Sequence, residues 1–277
     1  MPVSGTILLD GVPCTDGRGA LRMDDPALWT GMAVFETLRT RQGLPFRVEV
    51  HLARLRESAA WCGVPFHEGL QAELAQVAEA LVTGPGGPRE AKLNVLLTEG
   101  GHRIVKAEAL DLSRAGAPVR VVTRAWAPDP WLPGHVKHVS RAGWVLAARR
   151  AGVDEVLWSA PSANLGHLPA HRRKGERVWT EANRSNVIVV RDGVLLTPPD
   201  DGRILQGVTR DGMLAAARRA GLPMREEEVP VGPCEEMYLC STLKELAPIV
   251  ELDGEPGPGG GPLGAALHAA FRAEWDP

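Results

Sequence analysis

The chain has only five lysines, at positions 92, 106, 137, 174 and 244, against 26 arginines. An arginine keeps its proton at any physiological pH, so chemistry that needs an amine nucleophile has five candidates. Lys137 stands in Val136-Lys137-His138-Val139-Ser140-Arg141, directly after a proline-rich connector. Basic neighbours lower an amine's pKa towards the range where it attacks a carbonyl and forms a Schiff base, although a surface lysine reads the same way. Arg54, in His51-Leu52-Ala53-Arg54-Leu55, lies on a helical stretch whose Leu52 and Leu55 face a core, as a partly buried cation or a solvated face residue. Gly207-Val208-Thr209-Arg210 heads a further helix. Thr209 is the expected N-cap, and the N–H groups of that first turn either offer an anion site or simply begin a capped helix. Cys240-Ser241-Thr242 places two hydroxyls at a strand exit, for a ligand or for a turn. Glu181 sits between Val178-Trp179-Thr180 and a polar turn, positioned to pair with a ring nitrogen or with Arg184.

These residues need elements to hold them. Thr6–Leu9, Val34–Thr40 and Phe46–Val50 read as strands, with turns at Asp10-Gly11 and Gln42-Gly43. Apolar residues three and four apart predict helices over His51–Trp61 and Gly69–Val82, the second stopped by Gly84-Pro85-Gly86-Gly87-Pro88. Leu93–Thr98 and Pro118–Arg124 are strand-like, and a division into domains 1–115 and 116–277 is expected just before the latter. Beyond it come a helix over Ala142–Ala151, strands at Glu155–Trp158 and Val187–Val190, and a helix over Thr209–Ala220. Strands around Glu226–Val229, Met237–Leu239 and Ile249–Leu252 follow, then a Gly/Pro loop at Gly254–Gly264 and a closing helix, Leu263–Trp275. Strands and helices mix without regular βαβ alternation, which predicts α+β domains with antiparallel-rich sheets.

Composition excludes several function classes. The 277 residues are 44% apolar and 23% charged, the balance of a globular chain. A net charge of −3, with no basic stripe interleaved with aromatics, points away from nucleic acid and anionic membranes. Four cysteines form no CxxC pair and no zinc spacing, and no metal is expected. No apolar run reaches transmembrane length and the first residues lack signal-peptide regions, so a cytoplasmic protein is expected. No GxGxxG follows a strand and no GK[ST] loop occurs, which makes dinucleotide and P-loop readings poor.

The order and wording of the motifs resemble the class IV, fold-type IV pyridoxal-phosphate enzymes: branched-chain and D-amino-acid aminotransferases and 4-amino-4-deoxychorismate lyases. The matching phrases are Val34-Phe35-Glu36-Thr37-Leu38-Arg39, His51-Leu52-x-Arg54-Leu55, Lys137 with Ser140 three on, Asp154-Glu155-Val156-Leu157, Thr180-Glu181 with Ser185-Asn186, Leu205-x-Gly207-Val208-Thr209-Arg210, and Ser241-Thr242 before Pro248. They run in family order from about residue 30 to 250. The resemblance implies two α/β domains with the cofactor, pyridoxal 5′-phosphate, in the cleft between them, most of its contacts coming from the second, and a homodimer. Lys137 would condense with the cofactor aldehyde and, once freed by substrate, carry the proton between Cα and C4′. Glu181 would keep the pyridine nitrogen protonated. Arg54, the helix head at Val208-Thr209 and Thr242 would share the phosphate, Gly207 and Ser241 would also contact the cofactor, and Phe35, Arg103 and Arg141 would face the amino-acid-like substrate.

The chain departs from the family in ways that bear on the reaction. Gly31-Met32-Ala33 stands where relatives often carry Gly-Asp-Gly, and Thr98-Glu99-Gly100 where they commonly read Thr-Arg-Gly. The latter region helps hold a substrate carboxylate in family aminotransferases, so Arg103 is the expected substitute. Ala142 takes the place of the branched-chain enzymes' tyrosine, and the run Ser159–Gly175 is an expected insertion, a basic flap or a solvated loop. Lys137-His138-x-Ser140-Arg141 resembles the Lys-His-Leu-Asn-Arg wording of the lyases. On that basis the expected reaction is elimination of pyruvate to give 4-aminobenzoate, a step of folate biosynthesis. The alternatives are amino transfer from an amino acid to a 2-oxo acid, and a non-catalytic relative that kept the fold.

Overall fold

A computed structural model describes residues 5–14, 18–84, 86–126, 129, 131–162 and 177–274. The chain forms two compact units, residues 1–113 with 136–141 and residues 114–135 with 142–277. The expected division near 115 therefore needs one correction, because Val136–Arg141 belongs with the first unit. Its backbone pairs there: Phe35 N donates to Lys137 O at 3.0 Å, Val139 N to Ala33 O at 3.0 Å, and His138 bridges Val34.

The first unit contains β1 (Gly5–Leu9), β2 (Val12–Pro13), α1 (Pro26–Thr30), β3 (Ala33–Arg41), β4 (Leu44–Pro45), α2 (Val48–Cys62), α3 (Leu70–Val82), β5 (Ala91–Thr98) and β6 (Arg103–Ala109). Its antiparallel sheet runs β2-β1-β6-β5-β3-β4. Alternation decides which face is buried: Val34, Leu38, Leu93, Val95, Val105 and Ala107 point into one core with Leu55 of α2 and Leu70, Leu74 and Val77 of α3. One expectation fails here, and one strand was not anticipated. Phe46–Val50 is not a strand, because the chain turns at Arg47, whose φ is 49°, and Val48 already opens α2 with its side chain in the core. Residues 103–109 form the strand β6, whose low apolar content hid it; its exposed face is bridged instead by Glu108 to Lys92 and Lys106.

The second unit contains β7 (Val119–Ala125), α4 (Ala142–Ala151), β8 (Glu155–Pro161), β9 (Arg177–Ala182), β10 (Asn186–Arg191), β11 (Val194–Thr197), α5 (Val208–Ala220), β12 (Met224–Glu226), β13 (Val229–Pro230), β14 (Glu236–Ser241), β15 (Glu245–Leu252), β16 (Glu255–Pro256) and α6 (Pro262–Ala273). The strands form one mixed sheet in the order β12-β11-β10-β14-β15-β7-β8-β9-β13, with β16 beside β15. A further pair, Asn186 with Glu181, joins β10 to β9, so the central strands close on themselves. The expected strand at Glu226–Val229 is two short ones at opposite ends of the sheet order, β12 on β11 and β13 on β9. Strand β8 is buried on both faces, sending Leu157 into the core of Val121, Val187, Leu239 and Ile249 and packing Val156 and Trp158 with Ala148 of α4. Trp144 of α4 packs against Trp158, the rings tilted by 39° with centroids 5.8 Å apart. No described helix is long and apolar enough to cross a membrane.

Candidate active site

In the first unit the site grows from one charged residue on a buried strand face. Val34, Glu36, Leu38 and Thr40 alternate towards the core, and each is completely buried. A carboxylate there must be compensated. Helix α2 supplies the compensation from the same stripe, with His51 and Arg54 one turn apart. Arg54 donates to Glu36 through Nε (2.7 Å to Oε1) and Nη2 (2.9 Å to Oε2), and His51 Nδ1 lies 2.9 Å from Oε2. Thr37 N adds a donor at 3.1 Å. Burial pushes the Glu36 carboxyl up, but Arg54, the His51 hydrogen bond and the charge of Lys137 outweigh it and hold the group well below the carboxylate range. Burial, aided by the charges of Arg54 and Lys137, holds His51 below its usual value against the pull of Glu36, so the ring is neutral at physiological pH.

Lys137 is seated beside this cluster by backbone bonds. Its N–H donates to Ser58 Oγ at 3.0 Å and its carbonyl accepts from Phe35. Its Nζ stands 4.7 Å from the centroid of the Phe35 ring, and Arg141 Cζ is 5.8 Å from the same ring. Three other described lysines are each paired with a carboxylate: Lys92 and Lys106 with Glu108, and Lys244 with Glu155. Lys174 lies outside the described residues. Lys137, Phe35, Arg141 and Arg54 are thus brought together. Arg103 is not: its guanidinium grips Glu73 of α3, with Nη2 2.9 Å from Oε1, and its own N–H donates to Asp10. The expected substrate arginine is a strut between β6 and α3, and Glu99 N donates to Met32 O at 3.0 Å.

In the second unit the candidate residues converge on the loop before α5. Glu181, 7% exposed, accepts from Leu205 N at 3.0 Å, and Asn186 Nδ2 donates to Leu205 O at 2.9 Å. The next turn is so close to Asn186 that a Cβ on Gly207 would meet its Oδ1 at 1.9 Å. Gly207, not Thr209, is the N-cap of α5; Thr209 lies inside the first turn and is buried. Arg210 is fully buried, donating to Pro198 O at 2.6 Å and paired with Asp211 and Glu226. Ser241 ends β14 and accepts from Lys244 N at 3.4 Å, with Thr242 in the turn that follows. Cys240 beside them is inert, its thiol pushed up to about 12 by burial.

Sequence reasoning gave Glu36, His51, Ser58 and Asn186 no role. The signal for Glu36 was present, as a carboxylate at the buried phase of a strand facing an arginine on the buried phase of a helix. Ser58 and Asn186 act through backbone groups distant in sequence and leave no local mark. Of the run 159–175, only residues 159–162 are described; its His167, His171, Arg172, Arg173 and Lys174 lie outside.

The sequence profile of the family described as amino-transferase class IV matches residues 33–252. The chain is 28% identical to a D-alanine aminotransferase of Listeria monocytogenes, the alignment covering 91% of this chain and 90% of that protein. Among solved structures, a fold IV-transaminase from Curtobacterium pusillum superposes with a TM-score of 0.80 at 27% identity over 99% of both chains. A hypothetical aminotransferase from Mycobacterium tuberculosis, bound to α-ketoglutarate and PMP, does so with a TM-score of 0.81 at 25% identity over 98% of both. The same protein is also known in a PLP-bound form.

Proposed function

The chain belongs to the class IV aminotransferase family, and from that premise we propose that it is a pyridoxal-phosphate-dependent aminotransferase, moving an amino group from an amino acid to a 2-oxo acid. The elimination expected from the Lys137–Arg141 wording gives way to amino transfer, because the relatives are aminotransferases. The observation that carries the reading is the seat of Lys137, an amine on an aromatic ring beside a buried, ionised Glu36 and its Arg54 partner.

The residues fit the cofactor. When bound, pyridoxal phosphate supplies an aldehyde for the amine and a ring that draws electrons from the substrate Cα. Lys137 would be the residue that accepts and carries the proton leaving the substrate Cα. Glu181, fixed by Leu205 N, holds a proton on the ring nitrogen. Arg54 meets the phosphate, its guanidinium oriented by Glu36 and His51. The backbone donors of Gly207, Val208 and Thr209 add the positive end of α5, and the hydroxyls of Ser241 and Thr242 complete the set. Gly207 suits this role because any larger residue would displace Asn186 and with it the Leu205 carbonyl. The homodimer carries over as part of this reading, and light scattering checks it.

The test separates the half-reactions. D-Alanine added to the cofactor-loaded protein should release pyruvate, one per site, and shift the visible absorbance; 2-oxoglutarate should restore it. Pyruvate and 4-aminobenzoate formed catalytically from aminodeoxychorismate, with no amino transfer from any amino acid, would reinstate elimination.

A further inference from the structure

An amino acid whose Cα meets Lys137 brings a carboxylate one bond away, and a desolvated carboxylate needs a cation, best a planar guanidinium. Arg54 is already assigned to the phosphate, and Arg103 serves as a strut on Glu73. The segment that carries Lys137 supplies another. After Val139 the chain doubles back, Arg141 N donating to Val139 O at 2.7 Å across a three-residue turn. Ser140 Oγ ties the turn to Gly31 O at 3.2 Å. Position 31 favours glycine there, since its φ is 73° and a Cβ would lie 2.4 Å from Ser140 Oγ, which would have to move. The turn returns Arg141 to Phe35, so one ring bears the amine at 4.7 Å and the guanidinium at 5.8 Å.

We infer that Arg141 receives the substrate's α-carboxylate, with Phe35 setting its distance from Lys137. The inference rests on the aminotransferase reading and deepens it. It assigns recognition of the α-carboxylate of the amino-acid and 2-oxo-acid substrates to a residue four beyond the lysine.

The experiment compares wild type with Arg141→Gln and Arg141→Lys in the cofactor-loaded protein. Two quantities are measured: KM and kcat for D-alanine with 2-oxoglutarate, and the calorimetric Kd of propionate, a carboxylate that cannot react. The Gln variant should raise both KM values and the propionate Kd by about 10- to 100-fold, the loss of one charge-assisted contact. Its kcat should stay within about threefold, its melting temperature and cofactor absorbance should be unchanged, and Lys should recover part of the loss. A Gln variant whose KM and propionate Kd stay within twofold of wild type overturns the inference, as does a wild type that binds no propionate. Failure of the aminotransferase reading looks different: wild type then transfers no amino group, while propionate binding and its dependence on Arg141 remain measurable.

Discussion

The candidate residues of the two units are held by different physics. In the first unit, side chains hold side chains: Glu36, Arg54 and His51 form a buried charged network between a strand and a helix. In the second, side chains hold backbone: Glu181 and Asn186 grip the two polar groups of Leu205, and a missing Cβ at Gly207 makes room. A network of charges is fixed by neutralisation and is exposed to pH and to isosteric charge removal. A loop gripped through its backbone is indifferent to charge beyond Glu181 itself, yet intolerant of one added methyl group. One set of residues is tuned electrically, the other sterically.

The comparison can be broken at several points. The largest effect belongs to Lys137→Ala, which on the proposed reading removes both the nucleophile and the proton carrier and should cut turnover by about 10⁴-fold or more. It should also abolish the visible absorbance of the loaded protein while leaving the melting temperature within a few degrees. Glu36→Gln keeps the shape but strands Arg54. Breaking a buried pair on one side costs about 3–5 kcal/mol, readable by urea denaturation, and cofactor affinity should fall with it.

The same network sets a pH dependence. Glu36 is held below its usual 4.5 and His51 below its usual 6.5, so in both cases the unfolded chain takes up the proton first. The stability they contribute is complete above about pH 6.5 and drains as pH falls, first through His51 and then below 4.5 through Glu36. Urea midpoints measured from pH 8 to pH 4 should decline, and Glu36→Gln should flatten the most acidic part of that decline.

Gly207→Ala probes the steric set. With Asn186 Oδ1 in the way, overpacking should cost about 1–3 kcal/mol and loosen the cofactor about tenfold on dialysis, with no change in the pH profile. Arg103→Gln is the smallest. It should cost about 1 kcal/mol through the lost Glu73 pair and leave KM for D-alanine unchanged; a tenfold KM rise would return Arg103 to the substrate.

Much of this was legible before any coordinates. Strand β3, helices α4 and α5 and the lysine segment announced themselves by alternation, by 3.6-residue spacing and by the scarcity of lysines. The failures share a cause, in that local preference was overruled by distant partners. Phe46–Val50 has the β-branched and aromatic residues of a strand, but Val48 finds more burial as the start of α2. Arg103 stood at a plausible distance from Glu99, and only α3, some thirty residues away, shows that it is already engaged. Thr209 is chemically the better cap, but Gly207 takes the place because nothing larger fits beside Asn186.

The membership of Val136–Arg141 in the first unit has a consequence for synthesis. The chain leaves that unit after residue 113, returns for six residues and leaves again, so the two units are joined by three covalent passages. A ribosome that has made the first unit's sheet and helices has not yet made the segment that seats the lysine. At roughly 5–20 residues per second the β3 edge waits seconds for its last partner. Until then Ala33 O and Phe35 N lack that segment beside them, and the groups that later seat Lys137 are an open template for any extended segment nearby. The amine's seat is the last part of the first unit to exist.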